Sequence, residues 1–88
     1  MDKEIYAIYA PFECKACEKA KTHLPRFCKK NGWVLRTIKK EHIDKYDVKT
    51  YPTIYATVKE CETCDKEIVL TMEGFSLKDL KNNLNKYN

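Results

Sequence analysis

The position of Cys14-Lys15-Ala16-Cys17 constrains this 88-residue sequence more than any other feature. The tetrapeptide follows an apolar, β-favouring run over residues 4–10 and opens a segment with helical apolar spacing that extends to about Lys30. A cysteine in the first turn of a helix faces unpaired N–H groups and the positive end of the helix dipole, which favour the thiolate. Because the second cysteine lies one turn further on, the two sulfurs can close a disulfide. The pattern predicts a dithiol–disulfide redox pair at a strand–helix junction.

Periodicity and turn residues predict one α/β domain over residues 1–88. The expected elements are strand 4–10, helix 15–30, strand 33–38, one or two helical turns within 39–48, strands 53–58 and 67–72, and a last helix capped by Ser76. The first two strands should be parallel because a helix separates them, and the last two should form an antiparallel hairpin. The first strand should be covered on both faces because it is almost wholly apolar. The expected fold is therefore a four-stranded mixed sheet with about three helices, in the order β-α-β-α-β-β-α.

Composition narrows the classes of partner. Seventeen basic and thirteen acidic residues give a net charge of +4, but the two signs alternate along the chain, which indicates a solvated surface rather than a nucleic-acid site. His23 and His42 are predicted to belong to that surface. No run resembles a signal peptide or approaches a membrane span. We therefore expect a cytoplasmic protein with no nucleic-acid or membrane partner, and the charge is compatible with acidic protein partners.

Three local motifs, taken in order, resemble the thioredoxin-fold superfamily in its minimal, glutaredoxin-like form. The stretch from Tyr9 to Cys17 is similar to the strand end, loop and redox tetrapeptide of that family. Tyr51-Pro52 is similar to its cis-proline pair, and Gly74-Phe75-Ser76 to the turn into its last helix. The resemblance covers essentially the whole chain.

This resemblance implies a thiol–disulfide oxidoreductase that reduces protein disulfides and needs no cofactor beyond an electron donor. Cys14 would attack the substrate, and Cys17 would resolve the mixed disulfide. Pro52 would be cis, and the backbone of Tyr51 would face Cys14 and pair with an extended substrate. The Tyr51 side chain could equally be hydrophobic cover. Lys15 could support the thiolate or simply be an exposed lysine at the start of the helix.

Gly74 and Phe75 complete the expected substrate-binding residues and bear on the electron donor. Typical glutathione-using glutaredoxins carry two consecutive glycines where this chain has Gly74-Phe75. A Gly-Phe pair is similar to the redoxins that serve ribonucleotide reductase and accept electrons from thioredoxin reductase. The implied donor is therefore thioredoxin reductase or glutathione.

The family pattern does not explain Cys61-Glu62-Thr63-Cys64. The third strand should separate this pair from the first by about 20 Å, so the two pairs cannot share one metal within a chain. Cys28 should lie near the second pair, because it follows Cys17 by eleven residues, or about 16 Å of helix. Three interpretations stay open: a hairpin disulfide, a metal half-site completed by Cys28 or a second chain, and unpaired thiols. The opposing functional class is a metal-binding or interaction module with structural cysteines.

Overall fold

The computed structural model describes residues 1–46 and 48–87. Its strands are β1 (Asp2–Ile8), β2 (Val34–Thr37), β3 (Thr53–Lys59) and β4 (Glu67–Glu73). Its α-helices are α1 (Lys15–Asn31) and α2 (Leu77–Leu84), and two 3₁₀ helices span Lys40–Lys45 and Asn85–Tyr87.

The four strands form one mixed sheet in the order β2-β1-β3-β4. β1 pairs in parallel with β2 and antiparallel with β3, and β3 pairs antiparallel with β4. At the centre, Ile5 lies opposite Leu35 on one side and Ala56 on the other. The predicted parallel pair and the predicted hairpin are both confirmed.

The expected number of helices and the expected order of elements are wrong at the middle of the chain. The described residues contain two α-helices, and the segment between β2 and β3 is the 3₁₀ helix Lys40–Lys45, so the order is β-α-β-3₁₀-β-β-α. His42 N–H donates to the Lys39 carbonyl and Tyr46 N–H to the Ile43 carbonyl, each three residues back. So short a segment forms too few hydrogen bonds to hold an α-helix on its own. Asp47, within the same predicted segment, lies outside the described residues.

Both α-helices contribute to a single hydrophobic core on one face of the sheet. The core contains side chains from β1, α1, β3 and α2, among them Ile5, Ala7, Leu24, Ile54 and Leu80, each fully buried. Burial of this kind contributes about 1.5–3 kcal/mol for each large aliphatic side chain.

The opposite face of β1 is covered only in part. Side chains alternate along a strand, so Glu4, Tyr6 and Ile8 share the face that does not join this core. Ile8 is fully buried, whereas Glu4 and Tyr6 are only half-buried. The expected covering of β1 on both faces therefore holds at Ile8 and is partial at Glu4 and Tyr6, where the polar side chains of Arg36 and Lys66 supply the cover.

Local signals set the ends of both α-helices. Gly32 ends α1 with φ +74°, and the N–H groups of Gly32 and Trp33 both donate to the Cys28 carbonyl. Ser76 caps α2, since its hydroxyl accepts the N–H of Asp79 at 3.3 Å. Within the described ranges, no helix is both long and apolar enough to cross a membrane.

Candidate active site

Cys14 is the N-cap of α1. Its backbone is extended, with φ −152° and ψ 110°, and its carbonyl already accepts the N–H of Glu18. Its half-buried sulfur accepts the backbone N–H of Cys17 at 3.2 Å. A thiolate at this position gains both that donor and the positive end of the helix dipole. Cys14 therefore occupies the position expected of a nucleophilic thiol.

Cys17 lies one turn into α1 and is only 2% exposed. Burial raises the pKa of its thiol, and the N–H of Ala10, which donates to the sulfur at 3.4 Å, acts in the opposite direction. The two thiols are free and differ in access, since Cys14 is partly exposed and Cys17 is buried. The pair is built with one accessible sulfur and one protected sulfur.

The loop before β3 brings Tyr51 and Pro52 to Cys14. The Tyr51–Pro52 peptide bond is cis, which confirms the expectation from the resemblance. The sulfur of Cys14 lies 4.0 Å from the carbonyl oxygen of Tyr51, and Pro52 is fully buried behind it. The Pro52 carbonyl accepts the N–H of Gly74 at 2.7 Å, which joins the turn before α2 to the same site. Three segments distant in sequence are therefore joined by contacts at Cys14, Tyr51-Pro52 and Gly74.

Sequence reasoning missed Phe12. Its side chain is 64% exposed, and its ring meets that of Tyr51 edge-to-face with centroids 5.6 Å apart. The two rings place an aromatic surface beside the accessible sulfur. A large aromatic residue in a loop two positions before Cys14 was the signal available, because exposed aromatic side chains near a reactive group often mark a binding surface.

The turn before α2 places Phe75 against α1. The rings of Phe75 and His23 are stacked, with centroids 6.0 Å apart and an angle of 8° between their planes. His23 is half-buried, so it lies at the surface as predicted, but one face of its ring is covered by Phe75. This stacking could not be predicted from the local sequence, because Phe75 lies 52 positions away from His23. Lys15 is exposed at the first position of α1, and both interpretations of it stay open.

The remaining cysteines do not join this site. Cys61 and Cys64 form a disulfide with each other in the β3–β4 connection, which is the first of the three interpretations. Cys28 is 4% exposed in the hydrophobic core, and burial raises the pKa of its thiol to about 11. Among residues 1–46 and 48–87, no group of three or more His, Cys, Asp and Glu side chains is arranged to hold a metal ion.

Solved thioredoxin structures are similar to this fold. Thioredoxin from Plasmodium falciparum is 21% identical, with a TM-score of 0.79 over 98% of this chain and 71% of that one. Thioredoxin from Trichomonas vaginalis is 18% identical, with a TM-score of 0.76 over 98% and 79%. A malarial protein of known structure is 19% identical, with a TM-score of 0.75 over 98% and 97%. No family model and no curated protein matches the chain by sequence. The chain has the thioredoxin fold, as its motifs predicted.

Proposed function

We propose that this protein is a thiol–disulfide oxidoreductase that reduces disulfides in other proteins through Cys14 and Cys17. One observation carries the proposal: the accessible Cys14 sulfur accepts a helix N-terminal N–H at 3.2 Å, with the buried Cys17 thiol one turn behind it. That arrangement favours attack by one sulfur and protects the other for a second step.

The reaction is a two-step exchange. The Cys14 thiolate attacks one sulfur of a substrate disulfide, the substrate S–S bond breaks, and the departing sulfur takes up a proton. Cys17 then loses its proton and attacks Cys14, releasing the second substrate thiol and leaving a Cys14–Cys17 disulfide. The substrate gains two electrons and two protons, and the dithiol loses them. The raised pKa of Cys17 favours its protonated thiol, which is the less nucleophilic of its two forms.

The substrate would be bound by the segments around Cys14. Tyr51 has its carbonyl 4.0 Å from the reacting sulfur, so an extended substrate could pair with this backbone. The rings of Phe12 and Tyr51 offer it apolar contact, and Pro52 and Gly74 are joined by a hydrogen bond next to Tyr51. Phe75, which follows Gly74, completes the residues proposed to bind the substrate. Contacts of this kind orient the substrate disulfide for attack along its S–S bond.

The electron donor in this proposal is thioredoxin reductase, with glutathione as the alternative. Phe75 supports thioredoxin reductase as the donor. It stands where typical glutathione-using glutaredoxins carry a second glycine, and its ring packs on His23. Ribonucleotide reductase is then a candidate acceptor. No further cofactor is required, and the reducing cytoplasm is the compartment in which such thiols are recycled.

Reduction of insulin, followed by NADPH consumption, tests the proposal and identifies the donor. The protein would be coupled in parallel to thioredoxin reductase and to glutathione with glutathione reductase. Cys14→Ser should abolish turnover with either donor, and Cys61→Ser should retain it. An active Cys14→Ser variant with an inactive Cys61→Ser variant would refute the assignment. Stoichiometric zinc or iron in the purified reduced protein, without turnover, would favour the metal-binding module instead.

A further inference from the structure

A line of basic side chains follows α1 away from the redox tetrapeptide. It consists of Lys15, Lys19, His23, Arg26 and Lys30, which are spaced by four, four, three and four residues. Residues three and four apart are neighbours on one side of a helix, so these side chains form a continuous stripe. Lys15, Lys19, Arg26 and Lys30 are exposed.

The far part of this stripe forms one wall of a groove between α1 and α2. The groove has a volume of about 510 Å³. Its polar lining includes Arg26 and Lys30 from α1, Lys81 and Asn82 from α2, and Asn85 beyond it, and no aspartate or glutamate of residues 1–46 and 48–87 lines it. The described residues form two salt bridges, both with Glu4, and neither involves these three cations. Within that part of the chain, the groove therefore presents three cations that form no salt bridge.

Contacts connect the groove with the redox site. His23 lines the groove and stacks on Phe75, which follows Gly74. Gly74 N–H donates to the Pro52 carbonyl, beside the Tyr51 oxygen that faces Cys14. On α1, the exposed Lys15 and Lys19 lie between Cys14 and the groove, so a protein bound at Cys14 can follow this side of the helix to the groove.

We propose that this groove binds an acidic segment of the protein whose disulfide is reduced at Cys14. The inference rests on the proposed function and specifies one property of the substrates, namely that they carry negative charge near the disulfide. Charge complementarity supports it, since attraction between opposite charges steers a partner and sets its orientation. A single-stranded nucleic acid fits less well, because its bases stack on exposed aromatic rings. In the groove, Phe27 is 5% exposed and the His23 ring already packs on Phe75.

The length of α1 sets where the acidic residues should lie in the substrate. Arg26 and Lys30 are twelve and sixteen residues beyond Cys14, about 18 and 24 Å at 1.5 Å per residue. An extended chain covers that distance in about five to seven residues at roughly 3.3 Å each. The substrate should therefore carry its acidic residues about five to seven positions from the attacked cysteine.

Disulfide peptides with different flanks test this proposal. One peptide carries glutamates at those positions on the N-terminal side of its disulfide, a second carries them on the C-terminal side, and a third carries glutamines. For the unmodified protein, kcat/KM should be about three- to tenfold higher with glutamates on one of the two sides than with glutamines, as expected of three screened charge pairs. The preference should shrink as ionic strength rises.

Two variants of equal charge complete the design. Arg26→Gln/Lys30→Gln/Lys81→Gln should lose the preference and keep its rate on the glutamine peptide. Lys29→Gln/Lys39→Gln/Lys45→Gln changes three exposed lysines elsewhere and should keep the preference. Circular dichroism melts would show that both variants are folded.

Several outcomes would overturn the inference. They are equal rates on all three peptides, a preference that survives the groove variant, or tighter binding of an oligonucleotide than of an acidic peptide with the same charge. Turnover of the glutamine peptide with no acidic preference would reject the groove alone. No turnover of any peptide would reject the proposed function itself.

Discussion

The sulfur of Cys14 lies 4.0 Å from the carbonyl oxygen of Tyr51, although 37 residues separate them in the chain. Cys14 caps α1, and Tyr51 stands two residues before β3 begins. The contact therefore joins the start of α1 to the start of a central strand. It places a backbone acceptor beside the accessible thiol, at the position proposed for the substrate chain.

Replacing the buried thiol should trap the first step of the reaction. In Cys17→Ser, Cys14 can still attack, but no second sulfur is available to release the substrate. We expect a stable covalent adduct with a disulfide substrate, seen by non-reducing electrophoresis and by mass spectrometry. The double variant Cys14→Ser/Cys17→Ser is the control and should form none. An adduct linked through Cys28 or Cys61 would contradict the assigned roles.

Cys28 should make the stability of the protein fall at alkaline pH. Its thiol has a pKa of about 11 in the folded protein because it is buried, whereas an unfolded cysteine titrates at about 8.5. Because the pKa of Cys28 is higher in the folded protein, its contribution to the free energy of unfolding is complete below about pH 8.5. It is lost as the pH rises toward 11, because the unfolded chain gives up its proton first.

Urea titrations at several pH values would measure this dependence, with Cys28→Ala as the matched variant. Cys28→Ala lacks the thiol, so the difference in the free energy of unfolding between the two proteins should narrow across that range. A constant difference from pH 8 to 11 would show that Cys28 does not titrate as its burial requires.

Glu4 should make the stability of the protein fall at acid pH. Arg36 and Lys66 bind its carboxylate at 2.8 and 2.9 Å and, with Arg36 the larger cause, lower its pKa to about 2. Because the pKa of Glu4 is lower in the folded protein, its carboxylate stabilises the fold fully above the unfolded pKa of about 4.3. This stabilisation is lost as the pH falls through 2.

Glu4→Gln should therefore be less stable at pH 7, by about 0.5–1 kcal/mol because both cations are largely exposed. This deficit should disappear in acid. Glu67→Gln, at an exposed strand position on β4, is the control and should change little at either pH. Chemical denaturation at pH 7 and near pH 2 would check both variants. An equal deficit at the two pH values would mean that the salt bridges are not its source.

The position of Gly74 has room for a side chain, but its backbone conformation is unfavourable for any residue that has a Cβ. Its φ is +86°, and a Cβ placed there would meet no atom within 4 Å. Gly74→Ala should lower the free energy of unfolding by about 1 kcal/mol, the usual cost of a left-handed conformation for a residue with a Cβ. Gly74→Asn should lower it less, since asparagine adopts this conformation more readily. Equal losses in thermal melts of the two variants would point to steric crowding instead.

Several features could be predicted from the sequence because short-range patterns determine them. The helical stripe before Asn31-Gly32 predicted α1, and α1 extends to Asn31. The hairpin of β3 and β4 followed from two β-favouring runs with a short connection. The middle segment could not be settled in the same way, because three apolar residues at helical spacing suit one turn of either an α-helix or a 3₁₀ helix.

The sequence by itself determined where the cysteines stand relative to the strands and helices, because spacing, caps and turn residues act over a few positions. Only the tertiary structure decided which distant groups meet: Phe12 with Tyr51, His23 with Phe75, and Gly74 with Pro52. It also decided that Cys61 pairs with Cys64. These outcomes depend on how the sheet and the two α-helices pack, since burial and contact are properties of the whole fold and not of any short segment.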